Sequence, residues 1–484
     1  MSTLNQTTLS SLPSTVKVPS YGRKDVITRI LHFGVGNFHR AHQAIYCERL
    51  LNSGYFEAGI MGVSLRSAGM RDTMAEQDYL YTEVTLSEPP SLRVVSAIQG
   101  IIVAPETPST VSDYIADSAI SLITSTITEK GYYLQQNAIN FQAQDLINDL
   151  KSLEQPKTIY GYIAAGLIAR HANCRTPITI LCCDNIQHGG NVIRTGVTQL
   201  IQTHAPHVID WLTDNVAFIA SMVDRITPAT TSELRADVET MLGVSDNAPV
   251  AAEPFTQWVI ENKSAGSFPP FENVGALLVS DITVYEQIKL TFLNATHSIL
   301  ATLGALLGDT FVHEAIQRPA LRRLCERVLS QRIIPVTQAP ENFSLSQYSQ
   351  DILARFANAA VPYAVLQVGS DSSLKIQQRW FPTIDRLLAQ DIDADVFAFI
   401  LASWVHFIQQ MHAKGTLQDP CIFELTGIGD CHDDDHTIQA ILALASANDF
   451  AFYHHAAFMH AVSQYFNQIK IATLDEVLDI VVSA

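Results

Sequence analysis

Residues 30–43 read ILHFGVGNFHRAHQ. A short apolar run meets two glycines one residue apart, and a helix-compatible segment follows. Strand, glycine turn and helix together are how an α/β protein builds an anion cradle. Gly34 and Gly36 let the backbone approach a phosphate, and the helix N-terminus stabilises its charge. The pattern points to a dinucleotide coenzyme and so to redox chemistry. The generic fingerprint wants a third glycine where His39 stands. Read alone, the two glycines also fit an ordinary strand-to-helix turn. The residues assigned to the coenzyme here are Ile30, Leu31, His32, Phe33, Gly34, Val35, Gly36, Asn37, Phe38, His39, Arg40 and Ala41.

Outward from this turn, short apolar runs alternate with helical stretches as far as residue 284. The runs include IMGVSL at 60, SLRVVSAI at 91, SLITSTIT at 121, ITILCC at 178, FIASMV at 218 and GALLVSDI at 275. Helical stretches include 41–52, 111–118, 159–171 and 190–203. This alternation predicts βαβ units and a largely parallel sheet. Residues 1 to about 28 are polar and read as a surface arm. From residue 285 helical periodicity dominates, at 285–306, 319–329, 346–357, 376–389, 395–413, 436–446 and 452–466. The prediction is an α/β chain: a Rossmann-type domain over 1–284 with a mostly parallel sheet, then a mainly helical domain over 285–484.

With 484 residues the chain exceeds one ordinary core. A net charge of −18 argues against nucleic acid or an anionic membrane as partner. Seven scattered cysteines read as reduced thiols in a cytoplasmic protein. The N-terminus lacks a basic and an apolar signal region. The longest apolar segment, 396–408, reads as a buried helix too short to span a bilayer.

Near the C-terminus Cys431, His432, Asp433, Asp434, Asp435 and His436 look like metal ligands. Their spacing matches no zinc pattern, so a solvated acidic turn is the better reading and no metal is assigned. In VYEQIKLTFLNATHSIL, Lys289, Asn294 and His297 fall at i, i+5 and i+8. At about 100° per residue they share a sector of roughly 140°. A lysine on a partly apolar face loses hydration, which suits a general base. A solvated stripe on a surface helix is the alternative. SMVDRITP (221–228) and EPFTQWVIE (253–261) read in isolation as loop ion pairs and core aromatics.

GVGNFHRAHQ, TITEKGYY (126–133), CDN (183–185), MVDRITP, EPFTQWVIE and VYEQIKLTFLNATHS occur in this order at compatible distances. Together they resemble the polyol-specific long-chain dehydrogenases, the mannitol 2-dehydrogenase family, from about Leu9 to the C-terminus. That family also includes fructuronate and tagaturonate reductases. The resemblance implies an active site between two domains and metal-independent hydride transfer between a sugar alcohol and a nicotinamide. It implies Lys289 as general base, Asn294 and Asn185 as donors to the developing oxyanion, and His297 as the group orienting substrate. It implies Glu286 as a proton relay and Asp224 as a positioning group.

NAD is the family's usual coenzyme, with NADP as the alternative. After the second strand, GVSLRSAGMRD offers no early acid for the ribose hydroxyls. Arg66 could instead meet a 2′-phosphate, and Thr128 joins the coenzyme set. The family's Asp-Gly-Ser-x-Lys appears here as Asp371, Ser372, Ser373, Leu374 and Lys375. Lys375 and Arg379 are assigned to the substrate. They admit a hexuronate carboxylate as the alternative to a polyol or ketose, and a non-catalytic coenzyme sensor is more remote. Oligomeric state stays open, a monomer included.

Overall fold

The computed structural model describes residues 2–135, 138–341, 343–425 and 434–483. The chain divides into two compact units, Met1–Ile282 and Thr283–Ala484.

The first unit is built on an eight-stranded sheet. Strand β1 (Thr28–Phe33) leads into the glycine turn. Helices α1 (Asn37–Ala41) and α2 (Gln43–Asn52) follow, then strand β2 (Gly59–Ser64). The remaining strands are Ile98–Val103, Leu122–Ser125, Ile178–Cys182, Val216–Asp224, Gln257–Glu261 and Leu277–Val279. Numbered along the chain, the sheet's first six strands lie in the spatial order 3-2-1-4-5-6. That is the dinucleotide-binding order, whose switch point falls between the first and fourth strands. All pairs are parallel except Val216–Asp224 with Gln257–Glu261. The strands are apolar on both faces because both are covered: Leu31 and Phe33 face one cluster, Ile30 and Ile60 another.

The run at 91 divides. Ser91–Val95 pairs antiparallel with Tyr81–Thr85 in a separate three-stranded sheet. Ile98–Val103 joins the main sheet beside β2. The N-terminal arm is more than a surface strap. Leu4 and Val16 are buried in a small core with Val84, Leu92 and Val238. Four backbone bonds anchor it there: Leu4 N to Ser245 O, Ser245 N to Ser2 O, Lys17 N to Leu92 O and Val94 N to Lys17 O.

The second unit is helical. Its central helix, Asp395–Ala413, buries thirteen of its residues, Trp404 among them. This helix and Thr283–Leu307 are long and apolar enough to cross a membrane. Their apolar windows are 72% and 67% buried within the fold, as in core helices. The stretch expected as one helix over 376–389 is two, Ser372–Arg379 and Phe381–Ala389. Pro382 explains the break: its ring would clash with the carbonyl four residues back in a continuous helix.

Candidate active site

The glycine turn sits at the sheet's carboxyl edge, at the switch point. Gly34 has φ +97°, and a Cβ there would lie 2.1 Å from the carbonyl oxygen of Thr126. Its N–H donates to Val63 O at 2.9 Å. No side chain fits, so this glycine belongs to the fold. Gly36 differs. Its φ of −84° and ψ of −177° suit any residue, and a Cβ there would meet nothing within 4 Å. Gly36 therefore borders open space where a phosphate can approach the backbone. That open backbone, at the edge where such sheets bind nucleotides, fits a dinucleotide.

Ile30, Leu31 and Phe33 are at most 2% exposed. They position the turn from inside the core and offer a ligand no surface, which corrects their assignment as contacts. Ala41 is equally buried. Arg40 is also turned inward. It donates to Ala248 O and to Asn37 Oδ1 and packs over the Tyr81 ring. It braces α1 and leaves no charge for a phosphate.

His32 lies under the turn. Its Nε2–H donates to Gly34 O at 3.1 Å, and its Nδ1 accepts from the Thr124 hydroxyl at 2.7 Å. Burial pushes its pKa down to about 3. His39 stacks on it, with centroids 3.4 Å apart. Burial, then the neighbouring His32 ring, holds His39 well below the usual histidine range. The stack is a neutral floor beneath the cradle. Val35 is buried, Asn37 and Phe38 are half-buried, and Gly36 is exposed.

The segment 126–133 closes the same edge. Asp184, at the end of Ile178–Cys182, accepts from Ile127 N at 2.8 Å, Thr128 N at 3.1 Å and the Tyr132 hydroxyl at 2.6 Å. Burial keeps its carboxyl above the usual range despite three donors. Thr128 stands at φ +69°, ψ 156°, a region a β-branched residue enters only when its surroundings impose it. Asp184 is the imposing group and was absent from the predicted site. Its signal was an acid just past a wholly buried strand and Cys183. Asn185 follows it and is exposed.

Asp224, 3% exposed, ends Val216–Asp224. Arg225 forms no pair with it. Its guanidinium makes a buried 2.7 Å bridge with Glu83 and donates to Ala41 O and Glu253 O. MVDRITP and EPF thus pin α1 to the sheet and are not loop ion pairs.

In the second unit Lys289 and Asn294 bound a π-helical segment, Lys289–Asn294, set between Thr283–Ile288 and Ala295–Leu307. In a π-helix residue i bonds to i+5, so these two side chains stand one turn apart. The α-helical reckoning had set them 140° apart. Lys289, Asn294 and Glu286 are half-buried. His297 is half-buried overall, but its Nε2 is enclosed and has no hydrogen-bond partner among the described residues. Its ring lies 4.9 Å from Phe356 and 5.3 Å from Tyr363. Burial, reinforced by Arg379, Arg355 and Lys375, pushes its pKa down to about 3. A neutral imidazole with an unused nitrogen suits a substrate hydroxyl.

Arg379 donates to Ser298 Oγ at 2.7 Å and Asn294 O at 3.3 Å, tying its helix to the lysine helix. Lys375 donates to Ser370 O at 2.6 Å and Val368 O at 3.2 Å. Both cations are already engaged. Ser372, in place of the family glycine, is 5% exposed; it donates to Asp419 and accepts from the Trp404 indole. Its hydroxyl is absorbed by the core and adds nothing to a pocket. Of the acidic run near the C-terminus, 431–433 lie outside the described residues. Asp434 opens a helix and pairs with Lys470. Among the described residues no three His, Cys, Asp or Glu side chains group as metal ligands.

A Rossmann unit followed by a helical unit bearing lysine, asparagine and histidine on one helix defines a class of nicotinamide-dependent dehydrogenase. The chain belongs to the mannitol dehydrogenase family: residues 28–272 match its Rossmann domain and 281–470 its C-terminal domain. A polyol:NADP oxidoreductase of Gluconobacter oxydans is 34% identical over 85% of this chain and 86% of its own. A mannitol 2-dehydrogenase of Phaeosphaeria nodorum is 35% identical over 87% and 76%. Among solved structures, Pseudomonas fluorescens mannitol 2-dehydrogenase in ternary complex with NAD and D-mannitol is similar at TM-score 0.84. It is 31% identical and covers 99% of both chains. A substrate-free D-sorbitol dehydrogenase gives 0.90 at 29% identity, covering 98% and 99%.

Proposed function

We propose that this protein interconverts a sugar alcohol and a ketose by hydride transfer to and from a nicotinamide dinucleotide, with D-mannitol and D-fructose as the substrate pair. When bound, the coenzyme supplies the hydride acceptor. Gly36, Asn37 and the 126–133 segment are the groups that would hold it. Lys289 takes the proton from the substrate hydroxyl, and Glu286 passes it toward solvent. Asn294, one turn on from Lys289, donates to the oxygen as it gains charge, a stabilisation worth a few kcal/mol in such sites. His297, held neutral, orients a neighbouring hydroxyl through its free nitrogen.

The observation that carries this reading is the π-helical segment, which stacks a candidate base and an oxyanion donor on one helix. π-Helical turns recur at functional sites because they displace side chains from α-helical register. A hexuronate substrate needs a cation for its carboxylate, and the engagement of Lys375 and Arg379 speaks for the neutral polyol. Six free cysteines among the described residues support a cytoplasmic setting. The test is a panel: reduction of fructose, fructuronate and tagaturonate, and oxidation of mannitol and sorbitol, each with both coenzymes. Turnover of the uronates alone would overturn the substrate.

A further inference from the structure

Coenzyme choice is written in the turn after β2. We propose that this protein binds the 2′-phosphorylated dinucleotide, NADP, at least as tightly as NAD, and that Arg66 reads the phosphate. The proposal rests on the coenzyme reading above and deepens it. Family membership leaves the choice open, since the names of its relatives carry both coenzymes.

β2 lies beside β1, and Gly34 N–H donates to Val63 O. The residues after Val63 therefore flank the glycine turn. In this sheet order the carboxyl end of the second strand is where the adenosine ribose is read. An acid there accepts the 2′-hydroxyl and repels a phosphate; an arginine does the reverse. From Ser64 to Arg71 the chain has no carboxylate. The nearest acid, Asp72, is held by Arg71 at 2.8 Å, and Arg71 also binds Glu106. Neither carboxylate is left for a ribose. Ser64 Oγ donates to Ser67 O at 2.7 Å, closing the turn, while Ala104 N donates to Ser64 O at 2.9 Å. Arg66 stands on this braced turn, exposed and with no ion pair among the described residues. Beside it is room: a Cβ on Gly69 would meet nothing within 4 Å. An exposed guanidinium with no ion pair, carried on a braced turn next to open space, suits a phosphate dianion, which it can grip through two N–H groups at once.

Binding is measured by calorimetry on the full-length protein without substrate, so the outcome does not depend on which polyol is used. The ligands are NADP, NAD, 2′,5′-ADP and 5′-AMP. NADP should bind at least as tightly as NAD, and 2′,5′-ADP more tightly than 5′-AMP. Arg66→Ser should raise the NADP-to-NAD ratio of dissociation constants tenfold or more, and Ala68→Glu should move it the same way. Weaker binding of NADP than of NAD by the wild type would overturn the proposal while leaving the coenzyme site intact. So would an Arg66→Ser ratio equal to that of the wild type. Failure of all four ligands to bind would overturn the coenzyme reading along with it.

Discussion

At the level of single residues, the two glycines of the turn separate folding from binding. Gly34→Ala forces a Cβ onto the Thr126 carbonyl at a positive φ. It should cost at least about 2 kcal/mol of stability, read as a lowered denaturant midpoint. Gly36→Ala meets neither obstacle. It should fold with a wild-type midpoint and lose coenzyme affinity tenfold or more, measured by titration. Lys289→Ala should lower kcat by about 10²–10⁴ with coenzyme affinity close to normal, and retained turnover would remove Lys289 from its role. The glycines were legible because the strand and helix around them had their own periodicities. That Gly34 serves the chain and Gly36 the ligand was not, because the difference lies in Thr126, some ninety residues away.

At the level of elements, the active face depends on connections more than on regular structure. The 126–133 segment is fastened by one carboxylate, whose three bonds are the donors it would lose in Asp184→Ala. Each orphaned group costs about 1–3 kcal/mol, so the variant should melt earlier and become susceptible to proteolysis between 126 and 133. Intact segments under limited trypsin would contradict the latch. Most strands and helices were visible as apolar runs. The divided run at 91 was not, because Ser91–Val95 finds its partner in a second sheet, and pairing is a tertiary choice. The π-helical segment was hidden for a similar reason. KLTFLN has ordinary helical composition, and only packing selects its bonding register.

At the level of the whole molecule, an acidic chain keeps several histidines neutral inside. His32 and His39 in the first unit and His297 in the second all have folded pKa values depressed by burial. An unfolded histidine titrates near 6.5. Below that pH the unfolded chain binds more protons than the folded one, so stability falls as pH drops from 6.5 toward 3. For His32 alone, the loss at pH 5 relative to pH 7 should be about 2 kcal/mol. Urea unfolding at the two pH values would measure it. His32→Gln should shrink the difference, and an unchanged difference would show that the imidazole is not held neutral. The acid composition was plain in the sequence. Which histidines titrate was not, because HRAH and ATHS look as exposed on paper as any polar pair.

The extra residue per turn in Lys289–Asn294 also bears on insertions and deletions. Surface helices tolerate conservative change at most positions, and this one is apolar enough to survive the loss of a residue. Deleting any of Leu290, Thr291, Phe292 or Leu293 would let the segment relax into a regular α-helix, with a folded product. Lys289 and Asn294 would then lie four residues apart in an α-helix, about 40° around its axis, and would still share one face. Such a variant should express well, hold its coenzyme and keep measurable turnover. A one-residue gap between these two positions should accordingly be tolerated in active descendants of this chain, whereas regular α-helical bonding at full length, which sets the two side chains about 140° apart, should not.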